Sequence, residues 1–335
     1  MRRCGLSALG IMLVALSGSA TAQTTTGLAP TALTSPDQTW PSKPIRVVVP
    51  FSPGSGTDIV ARIVSERLST QLGQTIIVEN RVGAGGTIGV GSVARSEADG
   101  HTLLIHSTTH VVAASTYSNP GYDTVRDFAG ITPLVSLPNV LVVAPNKYKT
   151  VTELVAAAKA ARGSMNYASG GAGSAAHLNA ERFSQATGIE LQHIPYKGGP
   201  EGLTAIIKGD VDFYFIPLPA ARGLIAAGNL TAIAVSGSQR ASALPDVPTT
   251  VEAGFPDSDY NFWVGMFAPV ATPKAIVERL HAETMRALKD PVVREKLAKV
   301  GADPLSMQPA EFDSFVKKEI EVNAALVRAA KIQIN

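Results

Sequence analysis

From Trp40 onward, short apolar runs alternate with stretches whose apolar positions recur at helical spacing. The run "IRVVV" (45–49) is β-branched, and Ile59, Ile63, Val64 and Leu68 then mark one face of a helix. "TIIVE" (75–79) and "TLLIH" (102–106) predict two further strands. The middle of the chain repeats this grammar, with "NVLVVAP" a strand, "TVTELVAAAKAA" a helix, "MNYAS" a strand and "SAAHLNAERFSQATG" a helix. "LQHIPY", "VDFYF" and "LTAIAVS" read as strands, and "PEGLTAIIKG" as a helix. After the proline-punctuated connection 244–256 comes the strand "FWVGMFAP" (262–269). Three helices over 273–288, 290–299 and 309–330 close the chain, the last gathering Phe312, Phe315, Val316, Ile320 and Val327 on one side. Strands alternating with helices predict an α/β fold with largely parallel sheets. Two such segments predict two lobes with a cleft between them, where ligands meet the carboxyl ends of the strands.

One strand-to-helix loop reads "PFSPGSGTD" (50–58). Pro50 ends the strand, Gly54 and Gly56 permit backbone angles closed to other residues, and Thr57 or Asp58 can cap the helix. Such a loop leaves backbone N–H groups free at the positive end of a helix, a combination that binds carboxylate or phosphate without any arginine. The loop in "YASGGAGSAAHL" (167–178) repeats the design, with Ser174 at the expected N-cap. One such loop is an ordinary capped turn. Two of them, one from each half of the chain, can face each other across a cleft. "STT" (107–109) adds hydroxyls after another strand, although simple loop polarity accounts for it equally well.

Composition narrows the possibilities. Arg2 and Arg3 precede the uncharged run "LSALGIMLVALSG", and "ATA" (20–22) offers small residues for cleavage before Gln23. That is the layout of a secretory signal peptide over 1–22, its apolar run being shorter than the ~20 residues that span a bilayer. Residues 23–40 read as a flexible leader rich in Thr, Pro and Ala, and the chain is expected to be periplasmic. Removing Arg2 and Arg3 takes the 29 basic residues to 27, equal to the 27 acidic ones. A neutral chain without basic runs argues against nucleic acid as a partner. Loss of Cys4, the one cysteine, excludes disulfides, zinc–thiolate sites and cysteine nucleophiles. There is no "GK" dipeptide and no G-x-S-x-G elbow, and "GVGSVA" (89–94) follows no clear strand. His106 and His110 sit at a strand's end, where their spacing does not converge on a metal. No cofactor or metal is expected.

The motifs "WPSKPIRVVVPFSPGSGTD", "VENRVGAGGTIG", "YDTVRDFAGITPL", "NYASGGAGSAAHL", "IPYKGG", "ALPDVPTTVEAG" and "FAPVATPKAIVERL" occur in this order. Together they resemble the Bug family, the extracytoplasmic solute receptors of tripartite tricarboxylate transporters, from Trp40 nearly to the C-terminus. The resemblance implies a type II periplasmic-binding-protein fold, with two α/β lobes joined by crossing strands around 137–143 and 258–267. One lobe would comprise 41–136 and 258–335, the other 137–257. The implied function is a monomeric receptor, not an enzyme, that closes over a small organic carboxylate and delivers it to membrane permease subunits. An exported enzyme on the same scaffold, or a sensor for a signalling partner, is the alternative.

The contacts implied by resemblance are Phe51, Ser52, Gly54, Ser55 and Thr57, with Asp58 capping the helix. Ser107 and Thr108 match the polar position after the third strand, and Ser169, Gly170, Ser174, Ala175 and His177 match the second loop. Ile216 and Pro217 stand where the family often has Asp-Asn, which together with the bulky "FYF" (213–215) implies a less polar far subsite and a ligand whose far end is not strongly charged. Pro217 is included among the expected ligand contacts. Ser55 stands where Gly is common and adds a hydroxyl to the first loop.

Overall fold

A computed structural model describes residues 40–330 and residue 332. The signal peptide expected over 1–22, and the leader over 23–40 apart from Trp40, lie outside the described residues. Strands β1 (Ile45–Val49), β2 (Ile76–Asn80) and β3 (Thr102–Ser107) are joined by helices α1 (Gly56–Leu72) and α2 (Thr87–Ala94). Helix α3 (Thr109–Thr116) leads to β4 (Phe128–Leu137), and after Pro138 the chain enters a second sheet as β5 (Asn139–Val143). There follow α4 (Val151–Ala161), β6 (Asn166–Ser169), α5 (Ala175–Thr187) and β7 (Gln192–Pro195). This sheet is completed by α6 (Gly199–Lys208), β8 (Phe213–Pro217), α7 (Leu218–Ala226) and β9 (Thr231–Val235). The chain returns to the first sheet as β10 (Phe262–Pro269), followed by α8 (Lys274–Lys289), α9 (Pro291–Lys299), β11 (Asp303–Pro304) and α10 (Pro309–Ala329).

The first sheet runs β11-β4-β10-β3-β1-β2 and the second β7-β6-β8-β5-β9. Both are mixed, which corrects the expectation of largely parallel sheets. β1 pairs parallel with β2 and β3, and β6 parallel with β7 and β8. β10 instead runs antiparallel to β3 and β4, and β5 antiparallel to β8 and β9. β5 and β10 are the strands that follow the two crossings, and each enters its sheet from the other lobe against the local strand direction.

Several elements escape the apolar pattern, β4, α3, α7 and the two-residue β11 among them. Gly130 and Pro133 interrupt β4, α3 is a short helix with Thr109, His110, Ser115 and Thr116 flanking its apolar centre, and α7 opens on "LPAARG". Pro219 is tolerated because the first turn of a helix needs no N–H. Both faces of the first sheet are covered, so Val47, Val48, Leu103 and Leu104 are all buried. On α10, Phe312, Val316 and Val327 are buried, while Phe315 and Ile320 pack half-buried beside them. The Phe312 ring lies so close to β10 that a Cβ on Gly265 would sit 2.5 Å from its Cζ.

In β8, alternation separates the aromatic run. Phe213 and Phe215 pack with Leu141, Val143 and Phe183, whereas Tyr214 and Ile216 pack on the opposite face with Val140 and Leu203. That alternation decides which side chains reach the space between the lobes.

Candidate ligand-binding site

The loop after β1 turns into α1 through a hydroxyl cap. Ser55 holds extended backbone angles and its Oγ accepts the Asp58 N–H at 3.3 Å, so Ser55 is the N-cap rather than Thr57 or Asp58. Asp58 reaches back instead. Its Oδ2 accepts the Gly54 N–H at 2.9 Å and the Arg62 Nε–H at 3.0 Å, and its Oδ1 accepts from Asn80 Nδ2 at 2.8 Å. Asn80 also donates to the Phe51 carbonyl at 2.9 Å, which ties the loop to β2. Gly54 has φ 79°, a left-handed conformation that any side chain would strain.

The loop after β6 turns into α5 in the same way. Ser174 is the N-cap and its Oγ accepts the His177 N–H at 3.3 Å. His177 Nδ1 accepts the Gly173 N–H at 3.1 Å, the counterpart of the bond from Gly54 to Asp58. Behind it, His193 stacks on His177 with ring centroids 3.8 Å apart, and its Nε2 lies 2.6 Å from Ser169 Oγ. Burial, and secondarily the neighbouring His193, holds the His177 imidazole down to about 3. Burial alone pushes His193 down to about 4. Both rings are therefore neutral at pH 7, which is what lets His177 accept a hydrogen bond.

Both helix starts border one cavity, lined on the first-lobe side by Phe51, Ser55, Gly56, Thr57, Ser107 and Phe262. Gly170, Ser174, Ala176, Gly199, Tyr214 and Ile216 line the second-lobe side, with Thr109 and Pro217 completing the wall. Among the described residues, no charged side chain lines this cavity. The first N–H groups of a helix have no partner within it. At α1 those of Gly56 and Thr57 remain available, while at α5 the Ala175 N–H is taken by Thr109 Oγ1 of the first lobe at 3.0 Å. That leaves the Ala176 N–H for the cavity.

The lobes touch around the cavity. Tyr117 donates to the Ala172 carbonyl at 2.8 Å, and a Cβ on Gly56 would come within 2.6 Å of Pro217 Cβ. The cavity is therefore the interior of a closed cleft.

Of the residues expected from the sequence, Phe51, Ser55, Thr57, Ser107, Gly170, Ser174 and Pro217 line the cavity. The others stand behind it. Ser52 Oγ is buried against Gly198, Gly54 and Asp58 brace the first loop, and Ser169 and His177 brace the second. Ala175 is engaged with Thr109, and Thr108 Oγ1 accepts the Trp263 N–H at 3.0 Å, fastening α3 to β10. Sequence reasoning did not nominate Gly56, Ala176, Gly199, Tyr214 or Phe262, and it reached Thr109 only as the last hydroxyl of "STT". Tyr214 was legible in part, because strand alternation puts it on the same face as Ile216. His106 and His110 lie 5.5 Å apart, centroid to centroid, in apolar surroundings, and burial lowers both, His110 to about 3. Among the described residues no group of His, Cys, Asp or Glu is arranged to hold a metal, and no helix is long and apolar enough to cross a membrane.

Two α/β lobes, linked by two crossings and closed on a cavity built from opposed helix starts, define a solute-binding protein. The family model described as "Tripartite tricarboxylate transporter family receptor" matches residues 60–332, and the chain belongs to that family of receptors. Solved structures agree. The chain is 33% identical to the periplasmic binding protein BugD, with a TM-score of 0.84, covering 88% of this chain and 99% of that one. It is 32% identical to Rpa4515 of R. palustris, solved with adipate, with a TM-score of 0.85 over 88% of this chain and 99% of that one. To MatC from Rhodopseudomonas palustris, solved with bound malate, it is 31% identical, with a TM-score of 0.80 over 86% and 100%.

Proposed function

We propose that this receptor closes over a small organic carboxylate and hands it to the membrane permease of a tripartite tricarboxylate transporter. The observation that carries this reading is the pair of equivalent helix starts whose Gly56, Thr57 and Ala176 N–H groups border one cavity without any charged side chain. A carboxylate there gains the N–H donors and the positive ends of two helices at once. The Ser55 and Ser174 hydroxyls spend their oxygens on the helix caps, so each keeps its proton for a ligand oxygen. Adipate in Rpa4515 and malate in MatC, both carboxylates, support the ligand class.

The lobes are 41–136 with 258–335, and 137–257, hinged where β4 passes into β5 and where the chain returns to β10. Phe51, Ser55, Thr57, Ser107, Gly170, Ser174 and Pro217 contact the ligand; Ser52, Gly54, Asp58, Thr108, Ser169, Ala175 and His177 hold those contacts in place. Closure is driven by the second helix start engaging a ligand already held by the first, because a ligand shifts the balance only by its preference for the closed state. Secretion through a cleaved signal peptide would place the receptor beside its permease.

The test is a thermal-shift screen of the purified protein against small carboxylates, amino acids and neutral sugars. A ligand that binds only the folded state adds ~2.7 kcal/mol of stability at a hundredfold excess over Kd. The expected result is a raised melting temperature confined to a few carboxylates. A shift with sugars and with no carboxylate would overturn the reading.

A further inference from the structure

Six side chains lining the cavity carry a hydroxyl, and their commitments differ. Ser55 and Ser174 accept helix N–H groups, and Ser107 and Thr109 bond to each other. Thr57 sits in the first turn of α1 among the N–H donors already described. The Thr57 and Tyr214 hydroxyls make no hydrogen bond to another described residue, and of the two only Tyr214 stands in the second lobe, beside Ile216. Tyr214 is only 2% exposed and lines the cavity. The hydroxyl lies 3.7 Å from the place a Cβ on Gly170 would occupy, so it opens onto the cavity beside the second helix-start loop. A phenol hydroxyl that opens onto the cavity without a protein partner is free to donate to whatever acceptor a ligand places there.

Its surroundings limit what that acceptor is. Ile216 follows it on the same face of β8, and Phe51, Pro217 and Phe262 line the same cavity. Burial pushes the Tyr214 hydroxyl above its usual range, so it is a neutral donor of one proton. One donor satisfies a hydroxyl or carbonyl oxygen. A second carboxylate buried there would have one phenol, no cation and mostly apolar neighbours, which does not repay its desolvation.

We infer that Tyr214 is the specificity-determining residue of the cavity, selecting small monocarboxylates that carry a neutral hydroxyl or carbonyl oxygen over both unsubstituted acids and dicarboxylates. This rests on the carboxylate reading of the same site and goes further by naming the class of acid. It also separates this receptor from the relatives solved with adipate and malate, which are dicarboxylates.

The test is calorimetric titration of the purified protein and of Tyr214→Phe with four probes: butyrate, 2-hydroxybutyrate, 3-hydroxybutyrate and succinate. Phe keeps the ring and removes only the oxygen, so the unliganded melting temperature stays the same. One of the hydroxy acids is expected to bind about three- to tenfold more tightly than butyrate, the range of a neutral hydrogen bond, with succinate weakest. In Tyr214→Phe that preference disappears while butyrate affinity is unchanged. Tyr214→Phe weakening all probes equally would assign the residue a structural role and overturn the proposal. Succinate binding most tightly would overturn it while leaving the carboxylate reading intact, whereas no binding by any of the four acids would count against both.

Discussion

The two helix starts can be laid over one another residue by residue. Gly54, Ser55 and Asp58 correspond to Gly173, Ser174 and His177, and both glycines take left-handed angles, φ 79° and 71°. In both loops the third helical residue takes back the N–H of the glycine before the cap. The fronts are alike, and the backs are not. The first is braced by a carboxylate with charged and amide partners, Arg62 and Asn80; the second by two stacked neutral imidazoles and a serine. A surface of free helix N–H groups therefore does not dictate what supports it. A carboxylate brace draws on charge, whereas an imidazole brace holds only while the ring stays unprotonated.

The largest way to separate the two backs is pH. His106, His110, His177 and His193 are all held below 6.5 in the folded protein, chiefly by burial. The unfolded chain takes up protons first as pH falls. Stability is thus full above pH 6.5 and is lost progressively toward pH 3–4, at up to ~1.4 kcal/mol per pH unit for each buried ring. Melting temperature should fall clearly between pH 7 and pH 5, and His177→Asn, which keeps an acceptor for the Gly173 N–H, should fall less steeply. A flat profile over that range would contradict the neutral imidazole brace.

Next in size is the carboxylate brace. Asp58→Ala leaves the Gly54 N–H, Arg62 and Asn80 without their acceptor, and urea unfolding should show a loss of about 2–3 kcal/mol, the lower side of a broken buried pair because Arg62 is half-exposed. His177→Asn at pH 7 should cost less than half as much. Equal losses would mean that the first loop is not held mainly by Asp58.

Smaller effects concern closure. Gly56→Ala places a methyl 2.6 Å from Pro217 Cβ and should weaken binding of any carboxylate found in the screen by about tenfold or more, with little change in unliganded melting. Unchanged affinity would show that the closed contact at Gly56 is not needed for binding. Tyr117→Phe removes one hydrogen bond between the lobes and should weaken the same acid about threefold, read by calorimetry. An unaltered Kd would mean that this bond contributes nothing net to closure.

The sequence carried the strands well where a short run is dominated by β-branched or other apolar residues, as at 45–49 and 262–269, which match the observed strands to the residue. It carried the Ser174 cap but not the Ser55 cap, because Ser55, Thr57 and Asp58 all have capping side chains and backbone geometry chooses between them. Ala176 lies one residue beyond the expected Ala175, since the free N–H is decided by Thr109 from the other lobe, a contact across 66 residues. His177 was expected to touch ligand and instead turns behind the loop, because its Nδ1 meets the Gly173 N–H. In "FYF" only the register of β8 tells which ring reaches the cavity.

The most direct measurement is a crystal structure of the protein with whichever carboxylate raises its melting temperature most. The carboxylate oxygens should lie about 2.7–3.2 Å from the backbone nitrogens of Thr57 or Gly56 on one side and Ala176 on the other. A carboxylate held by one lobe alone, or bound away from both helix starts, would contradict the paired helix starts as the receptor's anion site.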